Sequence, residues 1–138
     1  TIDCQRGDLA GFVRRRLRAA PFTHERCGDI AADARVMPFA AMTYKHAQVH
    51  GTNWLLAGDA AAAWDPLSGQ GICKALESGM QAARAIDRAL GGDRGMLEDY
   101  AQWTQAQFGE YLRSRSKYYR AEQRWPHAPF WRRRHVAS

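Results

Sequence analysis

The chain has 138 residues, with 20 Lys and Arg against 14 Asp and Glu, for a formal charge of +6. A hydrophobic content of 46% is enough for a core and excludes wholesale disorder. No apolar run approaches the roughly 18 residues that span a bilayer, and the opening TIDCQRGDL has no signal-peptide core, so neither a membrane protein nor a secreted scaffold is expected.

The N-terminal segment begins with Asp8, which can cap a helix whose apolar positions Leu9, Phe12, Val13 and Leu17 recur at helical spacing. Pro21 is expected to end that helix, and residues 22–35 read as irregular, with a turn at Cys27-Gly28-Asp29. Two strand pieces are expected between Val36 and Val49, around Pro38, followed by a tight turn at His50-Gly51-Thr52-Asn53. Trp54-Leu55-Leu56-Ala57 is a short unbroken apolar run, the pattern of a strand buried on both faces.

That run ends at Gly58-Asp59, and a small-residue stretch leads to Trp64-Asp65-Pro66-Leu67-Ser68-Gly69-Gln70-Gly71. A long helix follows, with Ile72, Leu76, Met80, Ala83, Ile86 and Leu90 on one face and Gly91-Gly92 at its end. A second helix starts near Met96 and extends to about Glu122. Leu97, Tyr100, Thr104, Phe108, Tyr111 and Leu112 form its stripe, which leaves Trp103 off it.

The charge is concentrated at the end. From Arg113 onward eight basic residues face Glu122 alone, a charge of +7, which leaves −1 for residues 1–112. Aromatic residues lie between those arginines, as in some single-strand nucleic-acid binders. With no reading motif beside them, a solvated helix face and a tail docked on protein are expected, and nucleic acid is not. Cys4, Cys27 and Cys73 form no CxxC pair, which argues against a disulfide or zinc framework and for a reducing, cytoplasmic location. His46 and His50 fall in a strand-and-turn region, where their spacing does not aim both at one metal.

Residues 54–80 carry the chemistry. At the carboxyl end of a strand in an α/β sheet, loops form the crevice that binds ligands, and Asp59 placed there offers an acceptor to a ligand hydroxyl. Gly58 allows close backbone approach. Gly69 and Gly71 clear side chains from the start of the helix, where unpaired N–H groups and the helix dipole favour a negative charge or an electron-rich carbonyl. The segment is neither a dinucleotide fingerprint nor a P-loop, because Lys74 stands where a third glycine belongs and no Gly-Lys-Ser/Thr occurs.

Leu56-Ala57-Gly58-Asp59-Ala60-Ala61, then Asp65-Pro66-Leu67-Ser68-Gly69-Gln70-Gly71-Ile72, then Ala75 to Ala83, resembles the second FAD-binding motif of flavoprotein monooxygenases. The Asp-Pro-Leu-Ser wording and Ser78-Gly79 are similar to the tryptophan-halogenase-like branch, and within it to the LodB-type maturation flavoproteins. The ending, from Tyr118-Tyr119 through Arg124-Trp125-Pro126 to Arg133, resembles that subgroup less distinctively.

The resemblance implies an α/β fold, the C-terminal portion of an FAD/NAD(P)-binding Rossmann-like flavoprotein. Residues 1–45 would end a substrate domain, 46–95 would close the FAD-binding domain, and 96–138 would form the C-terminal helix and basic aromatic tail. It also implies that Asp59 bonds the FAD ribitol. Gly58, Pro66, Ser68, Gly69, Gln70, Gly71 and Ile72 would surround the cofactor, with Pro66 and the last four around the pyrimidine end of the flavin. Many members carry His after Gly-Asp-Ala-Ala, where this chain has Ala62. The upstream GxGxxG strand is absent, so the expectation is a C-terminal fragment that needs a missing N-terminal FAD-domain segment as its partner.

The implied activity is an FAD-dependent oxidation of an electron-rich aromatic, with NAD(P)H as reductant. A Trp side chain of a partner oxidase is the LodB-like substrate, and halogenation of a small aromatic is the alternative. A small basic binding protein without a cofactor is the competing class. Among side chains near the loop, Cys73 could serve redox work or flavin attachment but is expected to be a small buried residue, and Lys74 could meet a phosphate or the flavin but is expected to be solvated. Trp64 could pack over a flavin or under the loop. No general base is named.

Overall fold

The computed structural model describes residues 8–135. Cys4, with the other six residues at that end, and the last three of the chain lie outside them. The chain divides into two compact units, Thr1–Ala40 and Ala41–Ser138.

In the first unit, helix α1 (Leu9–Arg18) starts as the sequence predicts, with the Asp8 carboxylate accepting the Gly11 N–H at 2.7 Å. Pro21 does not simply end this helix. It opens a second one, α2 (Pro21–Cys27), within the stretch expected to be irregular. Proline has no N–H to lose at a first helical position, and its fixed φ suits the helix there. Gly28, at φ +66°, turns the chain out of α2. Asp29 then receives Arg18 at 3.1 Å and His24 at 3.2 Å, while Arg14 donates to the Ala31 and Ala32 carbonyls.

In the second unit, β1 (Tyr44–Lys45) and β2 (Ala62–Ala63) form a two-stranded antiparallel sheet, with Tyr44 opposite Ala63 and Lys45 opposite Ala62. Of the two strand pieces expected between Val36 and Val49, β1 is one, and residues 36–43, around Pro38, hold none. The buried parallel strand expected at 54–57 does not form either. Leu55 makes a lone antiparallel bridge with His50 across the predicted turn, which the Gly51 N–H closes on the Trp54 carbonyl at 2.9 Å. The Leu56 N–H donates to the Val49 carbonyl at 2.8 Å. A central strand needs partners along both edges, and among the described residues only 49–51 pair with this run.

Helices α3 (Gly71–Leu90) and α4 (Gly95–Ala121) build the rest, joined by a short turn in which Gly92 takes φ +103°. They pack against each other around Val49, Ala61, Ala82, Ala85 and Tyr100, with Leu55, Leu56, Met96, Leu97 and Trp103 at the margin. Trp103, read as lying off the stripe, is thus half-buried against the core. The α4 stripe is otherwise as expected, with Tyr100, Thr104 and Tyr111 buried. The Tyr100 hydroxyl donates to the Leu56 carbonyl at 2.8 Å, tying α4 to the hairpin.

The α3 stripe is not as expected. Its buried face is Lys74, Ser78, Ala82 and Ala85, whereas Ile72, Leu76, Met80 and Leu90 are exposed. Small side chains let α3 approach α4 closely, and none of the described residues covers the large apolar ones. No described helix is long and apolar enough to cross a membrane. Helix α5 (Pro129–His135) completes the unit, with Trp131 edge-on to Tyr119 at 5.6 Å.

Candidate functional site

The site begins at a 3₁₀ turn, Gly58–Ala60, that rests on the start of α3. Gly58 has φ +59°, so the turn needs glycine for its conformation, while a Cβ there would make only an ordinary contact with that of Ala75 at 3.5 Å. The Gly58 N–H donates to the Ser78 hydroxyl at 2.8 Å, and the Tyr44 hydroxyl donates to the Asp59 carbonyl at 2.8 Å. With its backbone held from both sides, Asp59 projects a side chain that is 75% exposed.

The second element is the loop into α3. Asp65 caps a 3₁₀ turn over Pro66–Ser68, its carboxylate accepting the Leu67 N–H at 3.0 Å. Gly69 follows in the left-handed region at φ +64°, and the Gln70 N–H reaches the Ser68 hydroxyl at 3.3 Å. Gln70 provides no side-chain cap to α3, so the first N–H groups of the helix stand on an exposed turn of Gly71, Ile72 and Cys73. A Cβ at Gly69 or Gly71 would meet nothing within 4 Å, so the outer side of the loop is open.

Lys74 joins the two elements. It is 7% exposed rather than solvated, and its ammonium donates to Asp59 Oδ1 at 2.7 Å and to the Ala62 carbonyl. It also lies 5.6 Å from the Trp64 ring centroid. Cys73, expected to be buried, is exposed. Trp64 packs under the loop on Tyr111, ring centroids 4.6 Å apart and planes within 9°, and its buried indole N–H has no partner among the described residues.

Behind the loop a cavity of about 540 Å³ runs along α4, between Leu67 and Gln70 on one side and Gln107, Tyr111 and Tyr118 on the other. Asp65 marks its floor and is 7% exposed. The Asp65 N–H donates to the Tyr111 hydroxyl at 2.7 Å, and the Tyr119 hydroxyl donates to its carboxylate. Arg134 of α5 stands 3.6 Å from the same carboxylate. Burial pushes this carboxyl upward, but the Tyr119, Leu67 and Arg134 donors outweigh it and hold the group below the usual aspartate range. Burial and the neighbouring carboxylate push Tyr119 the other way, above the usual phenol value.

The structure thus brings Asp59 and the loop 66–72 to one end of α3, as the sequence reading grouped them. Asp65, Tyr119 and Arg134 went unread, and Lys74 was weighed but expected to be solvated. An aspartate before Pro66 is a capping signal that could have found Asp65, whereas Tyr119 and Arg134 carried none beyond an ordinary helix or tail position.

Comparisons with known proteins bear on the chemistry of the chain. LodB of Marinomonas mediterranea, named as an FAD-dependent oxidoreductase, is 33% identical over 85 residues, 62% of this chain and 22% of that protein. The flavin-dependent halogenase armH1 of Armillaria mellea is 32% identical over 91 residues, 66% of this chain and 16% of its own length. The chain is homologous to flavin-dependent enzymes. Menaquinone reductase of Mycobacterium tuberculosis adds a shorter match, 54% identical over 39 residues, 28% of this chain and 10% of that reductase. The chain spans about a fifth or less of the length of these relatives. No protein-family model and no solved structure matches it.

Proposed function

We propose that the chain supplies one half of an FAD site in a flavin-dependent oxidoreductase of the monooxygenase and halogenase type. The observation that carries this reading is the outward-facing Asp59 carboxylate beside the uncapped, glycine-cleared start of α3. These residues fit the cofactor by their chemistry. A carboxylate accepts from ribitol hydroxyls, and a first helical turn with free N–H groups suits the electron-rich C2 carbonyl and N1 edge of a flavin.

In this reading Asp59 binds the ribitol, and Gly58 lets the chain approach it. Pro66, Ser68, Gly69, Gln70, Gly71 and Ile72 border the pyrimidine end, where the α3 N-terminus favours negative charge. Bound there, FAD would supply two-electron redox chemistry, with NAD(P)H as the reductant. The exposed Ile72-Leu76-Met80 stripe would seat the remainder of a Rossmann-like flavin domain, including the segment that grips the pyrophosphate. The substrate in this reading is an electron-rich aromatic, such as a Trp side chain of a partner oxidase whose quinone cofactor is being matured, which is what the resemblance of the 56–72 segment to the LodB-type flavoproteins implies. The odd, unpaired cysteines fit a cytoplasmic location.

The test is to purify the intact protein and record its flavin spectrum. Bound FAD that exchanges more readily in the Asp59→Ala variant is the expected result. A colourless protein that ignores added FAD overturns the reading. Incubating the reduced holoenzyme with aromatic substrates, with and without halide, then separates oxygen insertion from halogenation by product mass.

A further inference from the structure

Burying a lysine is costly unless its ammonium finds partners for its three donors. Lys74 finds them all on the Asp59 side of the site: Asp59 Oδ1 at 2.7 Å, the Ala62 carbonyl, and the face of Trp64 at 5.6 Å. The arrangement is lopsided. Lys74 is 7% exposed while Asp59 is 75% exposed, so the ammonium grips the carboxylate from beneath, and Oδ2 accepts no hydrogen bond from the described residues.

We propose that Lys74 is a positioning residue for the Asp59 carboxylate, turning Oδ1 inward and presenting Oδ2 to a polyhydroxyl ligand. The inference rests on the flavin reading, which names that ligand as the ribitol chain of FAD. Tyr44 and Ser78 fix only the backbone of the turn, through the Asp59 carbonyl and the Gly58 N–H. Without Lys74, an exposed aspartate would sample several rotamers, and each binding event would bear the cost of selecting one. Lys74 also places a positive charge beneath the carboxylate, which offsets the repulsion between Asp59 and a cofactor that carries two phosphates.

The experiment is an FAD titration of the intact apoprotein by flavin fluorescence, with the variants Lys74→Met, Lys74→Arg, Asp59→Asn and the Lys74→Met/Asp59→Asn double. Lys74→Met is expected to weaken FAD about tenfold, the scale of one charge-assisted hydrogen bond. In the Asp59→Asn background the same substitution is expected to have no further effect, because Lys74 acts through the carboxylate. Lys74→Arg keeps the charge and is expected to recover most of the affinity. A merely structural lysine would instead weaken binding by the same factor in both backgrounds, and that result overturns the proposal.

The proposal is also overturned if Lys74→Met binds FAD as the wild type does, or if Lys74→Arg recovers nothing. If either occurs while Asp59→Asn still weakens binding, the flavin reading stands and the role of Lys74 falls. If the wild-type protein binds no FAD, both fall.

Discussion

The Asp65 cluster gives the sharpest stability prediction. Asp65→Asn keeps the size of the side chain and a capping oxygen for the Leu67 N–H, but removes the charge that Tyr119 and Arg134 face. Hydrogen bonds to charged groups contribute about 1.5–3 kcal/mol, and at 7% exposure little of that is returned by water. The Arg134 pair, at 3.6 Å and with the arginine side chain 29% exposed, adds no more than about 0.5–1 kcal/mol. The substitution should therefore cost about 2 kcal/mol, and Asp65→Ala about 3 kcal/mol because the cap is lost as well. Urea denaturation reads the difference as a midpoint lower by about 1 M.

The same cluster has a pH signature. The folded-state carboxyl of Asp65 lies below its unfolded value of 3.8, so its contribution is complete above that value and lost as pH falls through the folded one. Tyr119 lies above its unfolded value of 10.0, so its share is complete below pH 10 and lost as pH rises further. The wild type should lose stability at both extremes. Asp65→Asn should lack the acid component, and Tyr119→Phe the alkaline one. Combined with Tyr119→Phe, Asp65→Asn should cost less than the sum of the two single changes by about 1 kcal/mol. A cost below about 0.5 kcal/mol, with strict additivity, would refute the idea that the tail is latched to the loop through Asp65.

Other substitutions test the loop and the tail. Asp59→Ala should weaken FAD binding at least about tenfold and also lower the urea midpoint, because the buried Lys74 ammonium loses its charged partner although the Asp59 side chain itself is 75% exposed. Gly69→Ala should cost about 1 kcal/mol by denaturation, because φ is +64° even though space for a methyl is open. Arg124 holds the Glu122 carboxyl at about 2, so an NMR titration should find that group ionised throughout the ordinary acid range. Glu122→Gln should lower the thermal midpoint, because the Glu122 side chain is only 15% exposed and its carboxylate accepts both the backbone and the side-chain N–H groups of Arg124.

The parts legible in the sequence were those that local chemistry decides. Asp8 caps α1 because an acceptor three residues before Gly11 suits the first turn of a helix wherever the rest of the chain lies. Gly91-Gly92 ends α3 for a similarly local reason. The Asp59 turn and the Gly69 loop were readable because a positive φ and an open helix start demand particular residues at particular spacings. Trp54-Leu55-Leu56-Ala57 was not readable in the same way. An apolar run says that it will be covered but not by what, and here it pairs back on residues 49–51 instead of entering a sheet. Pro21 failed for the opposite reason, since one residue can end a helix or start one and only the sequence after it decides.

Helix α3 shows why the site could be found from periodicity and yet misassembled by it. Its large apolar residues recur at helical spacing, so they dominate any reading of amphipathicity, and they point away from α4. The face it does use is Lys74, Ser78, Ala82 and Ala85, which hydropathy ranks as its weaker side. Each member of that face has a contact that residue type alone does not announce. Ala82 and Ala85 belong to the core, Ser78 accepts the Gly58 N–H, and Lys74 holds Asp59. A helix with one face spent on its own fold and site, and a second apolar face bare, is built to serve two surfaces at once. Its start is where the glycine loop and the Asp59 carboxylate meet, so the bare face runs directly into the flavin site proposed above.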